Sequence, residues 1–399
     1  MSFGISICEA PGCEKSFEKA SWNSKYHSED CKQIVKNLNR RIDLSEKITT
    51  VKSMVSEVYE SAPNSEMPEN HFTFLRSELT RLAKENERLK SRNYEQVQAL
   101  YSGIKDGLSN LDFPKIKKPH LKQVTGEAEV AAIIGADWQL GKVTPTYNTE
   151  IAEQRIEYYT DKVIEMTNIQ RSDHPVKDAR IWFLGDMGEG ENIFSGQASL
   201  IESSAYAQFV VDLPRIAGNM IRRLLSNFET IHFVGVPGNH GRLGTKDLPY
   251  NKESNMDRIF YKVLEYIFKD EPRITFEVPD GHGEMGFYAV DHVGNLGTLL
   301  MHGYQFKSIN SISAMKTKVL GYKSGAIEDT DWDQLWVGHW HQVMKHVFGP
   351  SVFHISGSPE SSNTYAQEEL AAVSRPSQPI QFINPRKGIV TWEADIWLD

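Results

Sequence analysis

Cysteine is scarce in this sequence: there are three in 399 residues, and all of them (Cys8, Cys13 and Cys31) fall within the first thirty-one positions. An odd number of thiols gathered at one end argues against a disulfide framework and for a compartment that keeps thiols reduced. Long apolar runs are missing too, since no stretch approaches the roughly 18 residues that a membrane span requires. The opening MSFGISICEA has neither the basic start nor the apolar centre of a secretion signal. A cytoplasmic protein without a membrane partner is therefore expected. Positive charge is in deficit, with 44 Lys+Arg against 53 Asp+Glu and a net charge of -9, which argues against indiscriminate binding to nucleic acid. The deficit is uneven. Residues 1–125 hold 20 Lys+Arg against 17 Asp+Glu, whereas the remainder holds 24 against 36, so a polyanion would dock on the N-terminal third. Internal repeats and low-complexity tracts are absent.

What the chain does contain is a series of short β-branched and aromatic runs that stop at glycine and then present metal-binding side chains. VAAIIGADWQLGK ends in Asp137, with Gln139 two residues on, where the pleat turns both to one face. IWFLGDMGEGENIF supplies Asp186 and Glu189, and IHFVGVPGNHGR supplies Asn239 and His240 on a turn that Gly238 and Gly241 permit. GTLLMHGYQF then ends in His302, and QLWVGHWHQV in His339 and His341. Oxygen and imidazole donors of this kind suit hard or borderline divalent ions such as Mn, Fe or Zn. The intervening segments around 150–171 and 200–228 have helical patterns, giving the βα rhythm of a layered α/β fold with ligands at the carboxyl ends of the strands. Short strands follow His341, and the loop GSPESSNTYAQEEL lies among them.

The order of these motifs, from about Val130 to the C-terminus, resembles the signature of the calcineurin-like metallophosphoesterases: DxH, GDxx(D/E), GNH(D/E), a lone His and GHxH. The resemblance implies an α/β four-layer sandwich, two mixed β-sheets flanked by helices, holding two divalent metal ions that hydrolyse a phosphoester. It also implies that the short strands after His341 complete the second sheet and that the loop GSPESSNTYAQEEL borders the substrate cleft. Carried over by position, Asp186 is the bridging ligand. Asp137, Gln139 and His341 complete the first metal, and Asn239, His302 and His339 the second. His240 falls where the family places the group that stabilises or protonates the leaving oxygen, and Glu189 would orient it. Two positions depart from the signature. Gln139 replaces a histidine, and a neutral amide ligand favours Mn or Mg over Zn. Gly241 replaces an acid, with Arg242 beside it as a candidate phosphate ligand.

The N-terminal residues form a separate group. Cys8, Cys13, His27 and Cys31 are spaced as two ligand pairs, with Phe17, Trp22 and Tyr26 to supply a miniature core, and a segment this short folds with difficulty unless a metal holds it. The spacing resembles small treble-clef-like fingers and implies one structural zinc; the alternative is three unrelated thiols and a surface histidine. Lys32, Lys36, Arg40 and Arg41 make one helix face basic, either a phosphate-binding face or an ordinary solvated one. Leu75, Leu79, Leu82, Asn86 and Leu89 then follow a heptad, readable as a homodimer seam over 75–89 or as a helical hairpin. The expected organisation is a zinc finger at 1–35, a helical arm at 36–112, a Pro- and Lys-rich linker at 113–127 and the catalytic domain at 128–399.

Together these features point to a metal-dependent nuclease, with DNA as the expected partner and Mn as the expected ion. The arrangement resembles bacterial or bacteriophage proteins of the repair-exonuclease branch, the latter working in host-cell cytoplasm. A phosphatase or phosphodiesterase for small molecules or proteins is the alternative enzyme, and a non-catalytic nucleic-acid-binding protein that keeps the fold is the alternative from another class.

Overall fold

The computed structural model describes residues 115–191, 193–194, 196–243, 254–279, 286–360 and 374–399, together with short backbone segments and single helical positions nearer the N-terminus. The chain divides into two compact units, Met1–Asn93 and Tyr94–Asp399. In the first, β1 (Ile5–Ile7) pairs antiparallel with β2 (Ser16–Glu18). Cys8 and Cys13 fall between these two strands in the sequence. They, His27, Cys31 and the basic face at 32–41 lie outside the described residues. Ser77, Thr80, Arg81, Lys84 and Arg88 are helical. The five apolar and Asn positions of the heptad seam lie outside the described residues.

In the second unit, one sheet contains β3 (Glu129–Gly135), β4 (Val176–Phe183), β5 (Thr230–Gly235), β6 (Ile274–Glu277), β12 (Ser377–Asn384) and β13 (Ile389–Trp397). Its order is β13-β12-β3-β4-β5-β6, with β3 to β6 parallel and the C-terminal hairpin antiparallel to them. The other sheet contains β7 (Tyr288–Val293), β8 (Leu296–Met301), β9 (Gln334–Val337), β10 (Met344–Phe348) and β11 (Ser351–Ile355). Its order is β10-β11-β9-β8-β7.

The period of two in each strand distributes its side chains between layers. Ala131 and Ile133 of β3, with Ile181 of β4 and Phe233 of β5, face one core shared with the helices α1 (Thr149–Gln170), α2 (Leu213–Leu225) and α3 (Met256–Ile267). The alternate residues Ala132, Ile134, Trp182 and Val234 face Leu300 and Trp336 of the second sheet. On that sheet's far side Leu299, Met301, Leu335 and Phe353 pack against Met315 and Val319 of α4 (Ile312–Gly321). Three cores separate four layers. This is the pair of mixed sheets between helices that the signature motifs imply, and it brings the carboxyl ends of β3, β4, β5, β8 and β9 to one end of the sandwich.

Local sequence explains the helix starts. Asn148 caps α1 by accepting from the Ile151 amide at 2.9 Å, and Pro214 occupies the first turn of α2. Two expectations need correction. The segment expected to be helical from about 200 becomes helical only at 205, and Ala207–Asp212 form a wide π-type turn that runs into α2, within which the buried Gln208 accepts from the Gly190 amide at 2.8 Å. The C-terminal strands also do not all join the second sheet. β10 and β11 do, whereas β12 and β13 extend the first. Every residue of β12 is buried and its Ile380 pairs with Ile133, so β12 is an interior strand of that sheet. No helix among the described residues is long and apolar enough to cross a membrane.

Candidate metal centre

Asp186, at the end of β4, is the hub. Its carboxylate is fully enclosed and accepts from the His240 amide at 2.7 Å, which ties the third site loop to the second. Its backbone carbonyl accepts from the Gln139 amide at 3.0 Å, and Gly185 does the same for Asp137 at 3.1 Å, which ties in the first. His302 Nε2 stands 2.8 Å from Asp186 Oδ2, while His302 Nδ1 lies 2.8 Å from the Leu184 carbonyl. A carbonyl only accepts, so Nδ1 carries a proton and Nε2 is the atom directed at the carboxylate. Asp186, His302 and His339 each present a ligand atom, all within 4.8 Å of one another.

Asp137 approaches the same ring nitrogen of His302 as Asp186 does. Its Oδ1 is 3.9 Å from His302 Nε2 and 3.5 Å from His341 Nε2, and both its oxygens accept from the His339 amide, at 2.9 and 2.8 Å. Among the described residues, the non-glycine residues with positive φ are Asp137, Gln139, Asp186, His339 and His341, at 45° to 70°. Each of these is a ligand expected from sequence. A left-handed backbone at a residue with a side chain costs of order 1–3 kcal/mol and persists where surrounding structure holds it. Of these, Asp186 and His339 present ligand atoms within 4.8 Å of one another, and His341 Nε2 faces Asp137 at 3.5 Å.

The test of fit for a metal lies in the polar atoms left over. Gln139 Oε1 and Asn239 Oδ1 are buried without a hydrogen-bond partner, and His302 Nε2, though close to Asp186, is not aligned as a hydrogen bond. A buried acceptor without a partner costs about 1–3 kcal/mol. Divalent cations would satisfy these neutral amide oxygens and the imidazole lone pair, so the donor set fits hard or borderline ions.

The electrostatics of the site have the same origin. Burial opposes ionisation of Asp186, but His302 and His240 hold it well below the usual carboxylate range. Burial likewise disfavours charge on His302, yet Asp186 and then Asp137 push it up to about 9. His341, also opposed by burial, is pushed up to about 10 by Asp137 and Glu360. His339 is lowered to about 3 by burial and by the neighbouring His302, so it is neutral with a lone pair to offer.

His240 is part-exposed, its Nδ1 lying 2.8 Å from the Glu189 carbonyl and 3.5 Å from the Glu189 carboxylate. Its Nε2 faces Asp186 Oδ2 at 4.0 Å. Gln197 steadies Glu189 through a 3.0 Å hydrogen bond to Oε1. Arg242 lies with its guanidinium 5.0 Å from the centre of the Tyr304 ring, which is itself 6.1 Å from the ring of His302. The expected dinuclear ligands, His240, Glu189 and Arg242 thus belong to one neighbourhood.

Three contributors were not evident from sequence. Asp257, in the first turn of α3, accepts from the amides of Asp186 and Met187 at 3.1 Å each and of Gly238 at 2.8 Å. Burial and the nearby Asp186 push its carboxyl up to about 7. Glu360, after β11, lies 2.9 Å from His341 Nδ1, and Lys142, after Gln139, lies 2.6 Å from Glu360. The sequence signals were only the place of Lys142 in the first motif and of Glu360 in the GSPESSNTYAQEEL loop, and for Asp257 there was none.

No family model and no curated protein matches the chain. Solved structures with a similar course include a zinc complex of Vps29 from Entamoeba histolytica, at 13% identity over 66% of this chain and 98% of that one, with a TM-score of 0.30. A structure described as a novel archaeal phosphodiesterase is 12% identical over 67% of this chain and 99% of that one, with a TM-score of 0.32. A predicted phosphoesterase from Streptococcus pneumoniae is 12% identical over 68% and 98%, with a TM-score of 0.26.

Proposed function

We propose that the chain is a metal-dependent phosphodiesterase that cleaves nucleic acid. The observation that carries this reading is the convergence of Asp186, His302 and His339 within 4.8 Å, with Asp137 and His341 adjoining and five ligands held in left-handed backbone. Asp137, Gln139 and His341 would hold one ion, Asn239, His302 and His339 the other, with Asp186 between them. When bound, such a pair supplies charge that stabilises the phosphorane-like transition state and lowers the pKa of water.

The chain's own residues supply the remainder. Nδ1 of His240 is committed to the Glu189 carbonyl, so the imidazolium form would carry its second proton on Nε2, the atom on the Asp186 side. In this reading that proton would go to a leaving alkoxide. Arg242 can pair with a non-bridging phosphate oxygen while its face rests on Tyr304. The choice of nucleic acid rests on the Cys/His spacing and the basic face of Lys32, Lys36, Arg40 and Arg41, and Mn is favoured by the amide ligand Gln139. The same reading makes the 1–35 segment a zinc-bearing delivery module and the 75–89 seam a dimer contact.

The test is turnover of defined DNA and RNA oligonucleotides and of a chromogenic diester by the Mn-loaded chain. Cleavage of the diester alone would assign a small-molecule substrate. No cleavage of any of them, with metal bound, would leave a binding protein.

A further inference from the structure

We propose that Glu360 and Lys142 are positioning residues of the metal centre, acting on the metal through His341. This rests on the reading of that site as a metal site and adds to it two residues outside the proposed ligand set. Glu360 Oε2 lies 2.9 Å from His341 Nδ1, and the opposite ring nitrogen, Nε2, faces Asp137 Oδ1 at 3.5 Å. A carboxylate beside Nδ1 favours the proton on that nitrogen, so the lone pair of neutral His341 is on Nε2, the atom on the Asp137 side.

The carboxylate is not a surface group that happens to be close. Glu360 is 5% exposed, and its backbone is fastened to the first metal strand. Its amide donates to Ser358 Oγ at 2.9 Å, and Ser358 Oγ donates to the Asp137 carbonyl at 2.6 Å. Arg155 holds the carbonyl of the residue between them, Pro359, at 2.5 Å. Any movement of Glu360 is thereby referenced to Asp137, the ligand that His341 faces.

A buried carboxylate needs a counter-charge, and Lys142 provides it at 2.6 Å from Glu360 Oε1. The same ammonium is 4.0 Å from Glu189 Oε2, and Glu189 in turn is 3.5 Å from His240 Nδ1. Lys142 therefore stands between the acid that fixes a metal ligand and the acid that faces the proposed proton donor. These are pairings by charge and distance, since neither Glu360 oxygen is aligned as a hydrogen bond.

The experiment is Mn titration of the metal-stripped full chain by calorimetry, comparing the unaltered protein with Glu360→Gln and with the double variant Glu360→Gln/Lys142→Met. The unaltered chain should take up two ions. Glu360→Gln should bind one of them about 10–100-fold more weakly and leave the other unchanged, with turnover of a diester recovering as Mn is raised. Lys142→Met should add little once Glu360 is already Gln, because its effect passes through that carboxylate. Equal affinities in Glu360→Gln and unaltered protein, with both ions bound, would overturn the positioning role alone. A chain that takes up no Mn in any form would overturn the metal site itself. A measurement that needs no Glu360 variant is the nitrogen NMR spectrum of histidine-labelled, Zn-loaded protein, with the His341 signal assigned by its loss in His341→Gln. Protonation at Nδ1 is expected, and coordination through Nδ1 would sink the proposal.

Discussion

Gly238 is packed so closely on Asp186 that a Cβ added to it would fall far inside van der Waals contact with both the carboxylate and the amide nitrogen of that residue. The glycine of the third motif is thus required by the acid of the second. Gly338 stands in the same relation to the Asp137 carboxylate, so two of the site's glycines are shaped by two of its acids. Gly238→Ala should displace Asp186, abolish metal uptake and lower the melting temperature. Differential scanning calorimetry with and without Mn will show this, and a variant still stabilised by Mn as the unaltered chain is would contradict it.

Asp257 supports the same junction from below. Removing it leaves three buried amides, those of Asp186, Met187 and Gly238, without their acceptor. At about 1–3 kcal/mol for each buried unsatisfied donor, and allowing for local relaxation, Asp257→Ala should cost on the order of 3–5 kcal/mol in chemical denaturation. A loss below ~1 kcal/mol would show that the three loops hold their course without it.

Metal affinity should rise with pH. His302 and His341 are raised to about 9 and about 10 by their carboxylate neighbours, so near neutrality the metal-free site carries protons that an ion must displace. Calorimetric titrations in buffers of different ionisation enthalpy should register proton release at pH 7 and its decline toward pH 10. The same shifts set the stability of the metal-free chain. A histidine raised in the fold contributes stability that is fully present below its unfolded pKa of ~6.5 and is lost as pH passes through the folded value. Metal-free protein should therefore lose stability between about pH 6.5 and 10. A flat profile over that window would show that the two histidines do not retain their protons in the fold.

The candidate ligand positions stood out in the sequence because chemistry and local geometry coincide. Asp137, Asp186, His302, His339 and His341 each follow a short apolar strand, and glycines beside them mark the sharp turns that put several of these residues into left-handed backbone. Glu360 and Asp257 carry no such mark. Glu360 is one acid in a polar loop, and its partner His341 becomes its neighbour only because parallel strands β9 and β11 end side by side. Asp257 has the place of an ordinary acid in a first helical turn, and its carboxylate accepts from residues 19 or more positions away. The sheet assignment of β12 and β13 was hidden for a similar reason. Strand patterns tell which residues pair in some sheet, whereas the choice of sheet depended on the Ile380–Ile133 pairing across the whole domain.

The strongest separation of roles is between Asp186 and His240. Asp186 accepts from the His240 amide and faces His302 at 2.8 Å, so Asp186→Ala removes the junction of the whole ligand set, and metal binding and turnover should vanish together. His240→Ala removes an imidazole but retains the backbone amide that holds Asp186, so ions should still bind with nearly unchanged affinity. If the imidazole donates a proton to the leaving oxygen, turnover of an oligonucleotide should fall by about 10² to 10⁴. A p-nitrophenolate leaving group needs no such proton, and the same variant should lose far less rate on a p-nitrophenyl diester. Gln139→His should tighten one ion and shift preference toward Zn without altering this contrast. The measurement is kcat on the two substrates across a range of Mn. Equal losses on both, or recovery of the oligonucleotide rate by excess Mn, would make His240 a metal ligand or a packing residue and assign the proton to another group.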